Sequence, residues 1–347
     1  MTDRDPEAPE TRDELEARVA AVRALPKVEL HLHLEGAAPP AFIRGLAQEK
    51  SIDLSRIFQP DGSYDFQGFA HFLQVYEAAT SVLQAPEDYG RLTTAVLEQS
   101  AAQGVIYTEA FLSPAFCGGG DPAAWREYLH AIEEAARAAA LSDGIHMRGI
   151  VTCIRHFGPD LAKPDALCAA ETVGDFITGF GMGGDETKGR QGDFAWAFDC
   201  AREAGLRLTT HAGEFGGAES VRQALDDLKV ERIGHGVRAM EDPALVDRLA
   251  AAQITLEVCP GSNVALGLFP DTAAHPIAKL RAAGVPVCVS TDDPPFFHTD
   301  LQGEYDRLAR AFGWGVEDFA ALNEVAIAAA FCDEVLREDI RKRLEQS

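Results

Sequence analysis

Short apolar runs alternate with longer amphipathic stretches along most of the chain, and each run has the length of a β-strand. Eight runs are predicted as strands: residues 28–34, 105–112, 146–154, 175–181, 206–210, 232–236, 254–259 and 285–290. The Ala-, Glu- and Arg-rich stretches between them predict helices, for example at residues 122–141, 193–205, 218–228, 242–252 and 274–283. Because strands that alternate with helices form parallel sheets, eight such units predict a (β/α)₈ TIM barrel.

Two segments depart from this regular pattern. The first two strands are separated by a long helical insertion, roughly residues 36–104, in which Phe66, Phe69 and Phe72 follow helical spacing. These aromatic residues form either a helix face packed on the core or an apolar lid over a pocket. Beyond residue 300 the pattern predicts more helix than the eighth unit requires, so extra C-terminal helices are expected.

The chain ends set the expected domain boundaries. Residues 1–12 are charged and contain proline, which is typical of a disordered segment, and residues 13–23 predict a short helix. No repeat, low-complexity run or linker interrupts the remainder. Residues 13–347 are therefore expected to form a single barrel domain.

The first predicted strand carries an unusual polar face in the stretch V-E-L-H-L-H-L-E-G, residues 28–36. In a β-strand, alternate side chains point to the same side, so His31, His33 and Glu35 face one way. Three polar groups on an otherwise buried strand are costly unless a ligand or a reaction uses them.

Further polar residues follow other predicted strands, and the carboxyl ends of barrel strands are where active sites form. They are Gly184 and Glu186 after the fourth strand, His211 and Glu214 after the fifth, His235 at the end of the sixth, and Asp292 and Asp293 after the eighth. The remaining histidines are expected to be structural or surface residues: His71, His130, His146, His156, His275 and His298.

Histidines and an aspartate at one end of a barrel suit a divalent metal of borderline softness, and zinc is the best match. Zinc with an open coordination position activates water near neutral pH. His235 could orient or deprotonate that water, and Glu214, three residues past His211, could face a substrate as an acid. These parts together predict metal-assisted hydrolysis.

Acidic residues outnumber basic ones by 55 to 31, for a formal net charge of −24 at pH 7. Such a surface repels phosphate groups, so nucleic acids and anionic membranes are not expected as partners. The seven cysteines are scattered and show no C-x-x-C spacing, which is typical of a reducing compartment. With no signal-peptide pattern and no apolar run of transmembrane length, a cytoplasmic location is expected. The oligomeric state stays open.

An ordered set of motifs identifies a family resemblance. The stretches P-K-V-E-L-H-L-H-L-E-G, G-G-D-E, H-A-G-E, R-I-G-H-G, C-P-G-S-N and S-T-D-D-P resemble those of the adenosine/adenine deaminase family, from about Pro26 to Asp293. That family is a zinc-dependent amidohydrolase barrel. Its members replace the 6-amino group of a purine by oxygen and release ammonia, so a small-molecule purine is the implied partner.

The resemblance implies roles for individual residues. One Zn²⁺ per chain would be held by His31, His33, His211 and Asp292. The implied catalytic residues are Glu214, which protonates purine N1, His235, which orients the attacking hydroxide, and Asp293, the partner of N7. The implied substrate-binding residues are His33, Glu35, Asp293 and Gly184, whose N–H group donates to N3.

The same resemblance orders the candidate substrates. Members that act on adenosine usually carry Asp where this chain has Glu35, whereas relatives that act on adenine often carry Glu. The G-M-G-G-D-E stretch at strand four is closer to the nucleoside type. Adenosine and 2′-deoxyadenosine are therefore the leading expected substrates, with inosine or 2′-deoxyinosine as products. Free adenine is the alternative, and modified adenine nucleosides stay open.

Three rival classes fit the residues less well. A binuclear cyclic-amide hydrolase would carry a bridging lysine at the end of strand four, where this chain has none. A cytidine-type zinc deaminase combines H-x-E with P-C-x-x-C; residues 33–35 match only the first half. A non-catalytic metal-binding protein is disfavoured because Glu214, His235 and Asp293 are all present.

Overall fold

The computed structural model describes residues 10–346, and within them the chain alternates between strands and helices. Nine strands lie in this range: β1 (Lys27–His33), β2 (Val105–Leu112), β3 (His146–Ile154), β4 (Ile177–Gly183), β5 (Arg207–Leu208), β6 (His211–Ala212), β7 (Arg232–His235), β8 (Thr255–Val258) and β9 (Val287–Val289). Each of the eight predicted strands is found. The predicted fifth strand is divided, since residues 207–208 and 211–212 form separate short strands.

The helices fill the intervals between the strands. They are α1 (Arg12–Arg23), α2 (Pro40–Glu49), α3 (Gly68–Thr80), α4 (Pro86–Ala102), α5 (Pro122–Ser142), α6 (Pro159–Thr172), α7 (Ala195–Glu203), α8 (Gly217–Gln223), α9 (Pro243–Ala252), α10 (Pro260–Ala265), α11 (Ile277–Ala282), α12 (Leu301–Phe312), α13 (Val316–Ala329) and α14 (Glu334–Glu345). Helices α2, α3 and α4 lie between β1 and β2, and α12 to α14 follow β9. No helix among residues 10–346 has the length and apolar character needed to cross a lipid bilayer.

The first helix begins at a defined capping box. The Thr11 hydroxyl accepts a hydrogen bond from the Glu14 N–H group, and the Glu14 carboxylate accepts one from the Thr11 N–H group. The helix predicted at residues 13–23 is confirmed as α1. Of the segment expected to be disordered, residues 1–9 lie outside the described part of the chain.

The strands form two parallel sheets, with the orders β1-β2-β3-β4-β5 and β6-β7-β8-β9. Backbone hydrogen bonds connect them at both junctions. On one side the N–H group of Glu231, just before β7, donates to the carbonyl of Leu208 in β5 at 2.9 Å. On the other, the N–H group of Asp292 donates to the His31 carbonyl at 3.1 Å, and the His33 N–H group donates to the Asp292 carbonyl at 3.0 Å. The fold is therefore a parallel α/β arrangement whose two sheets meet at residues 208 and 231 and at residue 292.

Helix α5 shows how the outer layer packs on the strands. Asp121 caps its first turn by accepting hydrogen bonds from the N–H groups of residues 123 and 124, and Pro122 occupies the first helical position. Its buried residues recur every three or four positions: Trp125, Leu129, Ile132, Ala136 and Ala139. This spacing places one apolar stripe against the sheet and leaves the charged positions in solvent.

Buried charged side chains on strands β2, β7 and β8 form a network. The guanidinium group of Arg232 donates to Glu257 at 2.7 Å and to Glu109 at 2.6 Å, and all three side chains are at most 1% exposed. The Phe331 ring lies 3.6 Å from the guanidinium carbon. A buried cation between two buried carboxylates cannot be removed without leaving the carboxylates uncompensated.

Replacing the cation of this network is expected to destabilise the fold. Arg232→Met keeps a long side chain but leaves the buried charges of Glu109 and Glu257 without a compensating cation. The free energy of unfolding should therefore fall by about 3–5 kcal/mol. Urea denaturation followed by circular dichroism measures this change. Arg137→Met, which breaks the exposed pair with Glu133, is the matched control and should cost less than about 1 kcal/mol. A loss no larger than that control would contradict the importance of the network.

Candidate metal and active site

The strand ends bring the predicted metal ligands to one place. His31 and His33 come from β1, His211 begins β6, His235 ends β7, and Asp292 follows β9. His31, His211, His235 and Asp292 form a buried group whose ligand atoms all lie within 4.8 Å of one another, and this group could hold a metal ion. Because residues of four different strands contribute, the site exists only when the two sheets are in register.

Outer hydrogen bonds set the orientation of two of these imidazoles. Nδ1 of His31 donates to Glu257 Oε2 at 2.8 Å, and Nδ1 of His211 donates to the Met182 carbonyl at 2.8 Å. A neutral imidazole that donates from Nδ1 carries its lone pair on Nε2. The two Nε2 atoms lie only 3.1 Å apart. Two lone pairs this close repel each other, and a shared cation removes the repulsion.

His33 and Asp292 complete the set of ligand atoms. Nε2 of His33 lies 3.1 Å from Nε2 of His211, and Oδ1 of Asp292 lies 3.3 Å from Nε2 of His31 and 3.2 Å from Nε2 of His33. The Ser262 hydroxyl donates to the other Asp292 oxygen at 2.7 Å. Ligand atoms bound at ~2.0 Å in tetrahedral geometry are ~3.3 Å apart. The observed separations therefore fit a small tetrahedral divalent cation.

Three buried polar atoms next to this set have no hydrogen-bond partner within residues 10–346: Nε2 of His235, Oε1 of Glu214 and Oδ1 of Asp293. All three residues line one cavity of about 60 Å³, together with His33, His211 and Gly184. Buried polar atoms are rarely left unpaired in folded proteins because they lose their hydration. Their convergence indicates a site for a compact ligand with several polar atoms.

Glu214 is held in the cavity wall by a loop that another carboxylate organises. The side chain of Glu186 accepts hydrogen bonds from the N–H groups of residues 213–216, at 2.5 to 2.9 Å. Burial, followed by the charges of Asp292 and Glu186, raises the pKa of Glu214 well above its usual range. This shift favours the protonated, neutral form of Glu214. The sequence marked Glu186 as a strand-end residue, and the structure shows that it anchors this loop.

Asp293 has a similar electrostatic environment. Burial, followed by the charges of Asp292 and Glu214, raises its pKa well above the usual range, which favours its protonated form. Its side chain fits because residue 36 is glycine: a Cβ atom there would lie 1.6 Å from Asp293 Oδ1. The glycine that ends the H-L-H-L-E-G stretch is thus required by the side chain of Asp293.

Gly184 and His156 form a neighbouring part of the cavity wall. Gly184 has a φ of +93°, and a Cβ atom there would lie 2.7 Å from Nδ1 of His156. That nitrogen accepts a hydrogen bond from the Asp185 N–H group at 3.2 Å. His156 was predicted to be a structural or surface residue, and the structure places it in the wall. Its position just after β3 is the signal that could have identified it.

Glu35 lies next to the cavity rather than in its wall. It is 3% exposed, and its oxygens accept hydrogen bonds from the hydroxyl groups of Tyr89 at 3.2 Å and Tyr76 at 3.5 Å. Burial raises its pKa to about 7. Tyr76, which does line the cavity, stands beside this carboxyl group. Neither tyrosine was predicted from sequence as a site residue.

The aromatic residues of the insertion both pack on the core and border the cavity, so they combine the two predicted alternatives. Phe69 and Phe72, on α3, line the cavity. Phe66, just before α3, packs edge-to-face against Phe72 and Phe297. Phe72 is also buried in the main apolar core. Helix α3 therefore covers the cavity while it is anchored by the core.

Removing one imidazole is expected to abolish tight metal binding. His211→Ala deletes the Nε2 atom closest to both other histidine ligands, so the divalent metal content per chain should fall at least tenfold. Elemental analysis after dialysis measures the loss. His130→Ala, at an exposed position, is the control and should keep its metal. Full metal content in the His211 variant would remove His211 from the ligand set.

Comparisons with known proteins agree with this geometry. The family model described as adenosine deaminase matches residues 26–347. An adenine deaminase of Rhizobium rhizogenes is 48% identical over 92% of this chain and 99% of its own, and one of Agrobacterium fabrum is 47% identical over 92% and 97%.

Solved structures share the fold. The crystal structure of adenine deaminase from Arthrobacter aurescens superposes with a TM-score of 0.85 at 33% identity, covering 93% of this chain and 99% of that one. An amidohydrolase from Burkholderia ambifaria with bound zinc gives a TM-score of 0.86 at 29% identity, covering 99% and 94%. With a family match that begins at β1 and runs to the end of the chain, this protein is a deaminating hydrolase that belongs to the adenosine deaminase family.

Proposed function

We propose that the protein is an adenine deaminase, which hydrolyses the bond between C6 and the amino nitrogen of free adenine to give hypoxanthine and ammonia. Membership of the family establishes a deaminase of adenine compounds. The choice of the free base is supported by relatives near half identical over nearly the whole chain, which are adenine deaminases. This order of substrates differs from the expectation from sequence, which placed adenosine and 2′-deoxyadenosine first and the free base second.

The environment of Glu35 is the observation that carries this choice. Both carboxylate oxygens accept from tyrosine hydroxyls, and the residue is buried beside the cavity. Free adenine has one N–H donor at N9 that adenosine lacks. A carboxylate is an acceptor, so Glu35 suits the N9–H group of the base. A nucleoside lacks that N–H group, so Glu35 would lose this additional donor and the nucleoside would be disfavoured.

The polar groups of the cavity complement the other edges of the purine ring. Adenine presents lone pairs at N1, N3 and N7. Glu214 and Asp293, whose pKa values are both raised, donate in their protonated forms to N1 and N7 in this proposal, and the N–H group of Gly184 donates to N3. Proton transfer from Glu214 to N1 draws electrons from C6 and prepares it for attack. His235, with its unpaired Nε2, directs the oxygen nucleophile towards C6.

We propose one Zn²⁺ per chain, held by His31, His33, His211 and Asp292. The support is the set of ligand-atom separations between 3.1 and 3.3 Å and the zinc found in the related amidohydrolase. When bound, zinc would supply an activated water near neutral pH. Nε2 of His235 lies 3.9 Å from Oδ2 of Asp292, which is farther than the 3.1 to 3.3 Å between the proposed ligand atoms. His235 is therefore placed beside the ligand set.

We also propose that the two sheets are halves of one closed (β/α)₈ barrel and that residues 13–347 form a single domain. Backbone hydrogen bonds across both sheet junctions support closure. One apolar core cluster that extends from Val19 in α1 to Leu322 in α13 supports a single domain. The N–H group of Leu301 at the start of α12 also donates to the Gln103 side chain near β2.

Removing the proposed acid is expected to separate metal binding from turnover. Glu214→Gln keeps the shape of the side chain but has no acidic proton, so kcat should fall by roughly 10²–10⁴-fold. Loss of the adenine absorbance band measures kcat, and elemental analysis should show unchanged zinc. Near wild-type turnover would exclude Glu214 as the proton donor.

The choice of substrate is tested by specificity constants. The kcat/KM value for adenine should exceed that for adenosine by at least ~10²-fold, because the nucleoside leaves Glu35 without its N9–H donor. Glu35→Gln should lower kcat/KM for adenine by about 10-fold or more, while Glu49→Gln, at an exposed ion pair, serves as the control. A preference for adenosine would overturn the free-base assignment while leaving the deaminase assignment intact.

A further inference from the structure

A short hydrogen-bonded chain lies behind His235, on the side away from the cavity. Nδ2 of Asn263 lies 3.2 Å from Nδ1 of His235, and Oδ1 of Asn263 lies 3.1 Å from Nε2 of His275. Nδ1 of His275 lies 3.2 Å from the backbone nitrogen of Ile277, at the start of α11. All three side chains are at most 2% exposed, so water does not compete for these bonds.

The N–H group at the outer end of this hydrogen-bonded series determines which atom donates in every hydrogen bond of the series. The N–H group of Ile277 can only donate, so Nδ1 of His275 accepts and Nε2 of His275 carries the proton. That proton is donated to Oδ1 of Asn263. The amide of Asn263 must then present its NH₂ group to Nδ1 of His235. Nδ1 of His235 accepts, and its proton resides on Nε2.

We propose that Asn263 and His275 are positioning residues that hold His235 in the neutral tautomer with the proton on Nε2, which makes it a hydrogen-bond donor to the attacking oxygen and prevents it from ligating the metal. The unpaired Nε2 atom of His235 then has a definite chemical role, since it is a buried donor without an acceptor. A metal ligand must offer a lone pair at this atom, and this tautomer has none there.

The surroundings of His235 explain why its tautomer must be fixed by neighbouring residues. The rings of His31 and His211 pack against it, with centroids 4.9 and 5.2 Å away. Carboxylate oxygens of Glu214 and Asp292 lie 3.8 and 3.9 Å from its Nε2 atom. The charge of Asp292 alone would favour an imidazolium, whose N–H groups at both nitrogens need acceptors. Asn263 opposes that form because its NH₂ group cannot accept a hydrogen bond from an Nδ1–H group.

The backbone conformation of His235 is a second reason why neighbouring residues must hold it in place. Its φ of +62° is in the left-handed region, which a non-glycine residue occupies at an energetic cost. Strain of this kind persists only where neighbouring contacts hold the residue. The amide of Asn263 provides such a contact at the side-chain end, and the Phe269 ring packs edge-on against His275 at 4.9 Å to fix the outer end.

The state of His235 can be read directly in the zinc-loaded protein without substrate. In ¹⁵N-histidine-labelled protein, long-range ¹H–¹⁵N spectra should show a protonated Nε2 and an unprotonated Nδ1 for His235, assigned by comparison with His235→Gln. A protonated Nδ1, an imidazolium or a metal-bound Nε2 would overturn the proposal. Because no purine is present, this outcome does not depend on which substrate is correct.

The kinetic consequence rests on the proposed function and is tested in a variant. Asn263→Asp replaces the NH₂ donor by a carboxylate oxygen, so Nδ1 of His235 should become protonated. The kcat value for adenine should fall by roughly 10²-fold, the loss typical of a preorganised donor, with KM nearly unchanged and zinc retained. An unchanged tautomer together with unchanged kcat would overturn the proposal, whichever purine proves to be the substrate.

A matched pair at His275 separates hydrogen bonding from packing. His275→Gln keeps an N–H donor for Asn263, whereas His275→Leu removes it. The glutamine variant should retain the wild-type tautomer of His235 and a kcat value several-fold above that of the leucine variant. If both variants lose kcat equally while His235 keeps its tautomer, the ring acts only in packing and the proposal fails. The exposed His130→Gln serves as the control for labelling and activity.

Discussion

The carboxylate of Glu257 connects the charge network inside the strands with the metal site at their carboxyl ends. One of its oxygens accepts from Arg232 at 2.7 Å and from the Thr209 hydroxyl at 2.8 Å, and the other accepts from Nδ1 of His31. Burial raises the pKa of Glu257, but Arg232 and His31 outweigh it and keep the group ionised. The direction in which the His31 imidazole presents its Nε2 lone pair thus depends on the buried guanidinium group of Arg232.

The buried carboxyl groups of the site differ in the direction of their pKa shifts, and the direction depends on their neighbours. Asp292 is surrounded by imidazoles, and these hold its pKa well below the usual range despite burial. Burial and the charge of Asp292 instead raise the pKa values of Glu214 and Asp293. One ionised ligand therefore favours the protonated, hydrogen-bond-donating form of its two neighbours. A purine, which offers lone pairs at N1 and N7, is complementary to that pattern.

The sequence predicted the framework of the site well because strand periodicity is local. Alternation in β1 placed His31 and His33 on one face, and in the structure their ring centroids lie 5.5 Å apart. Periodicity did not place His156 in the cavity wall, where the structure has it, and it could not show that Glu35 faces tyrosines from two helices of the insertion. Those contacts join residues 41 and 54 positions apart, and no local pattern encodes such pairs.

The sequence by itself determined the parallel α/β class, the strand ends that carry the chemistry and the metal-assisted reaction, since each follows from side-chain period and residue type. Only the tertiary structure decided which nitrogen of each imidazole faces the site, which acids are protonated and what adjoins Glu35. Those properties depend on burial and on hydrogen-bond partners from distant segments. Asn263 and His275 illustrate the difference: as letters in C-P-G-S-N and H-P they are unremarkable, and their effect on His235 exists only when the three side chains meet.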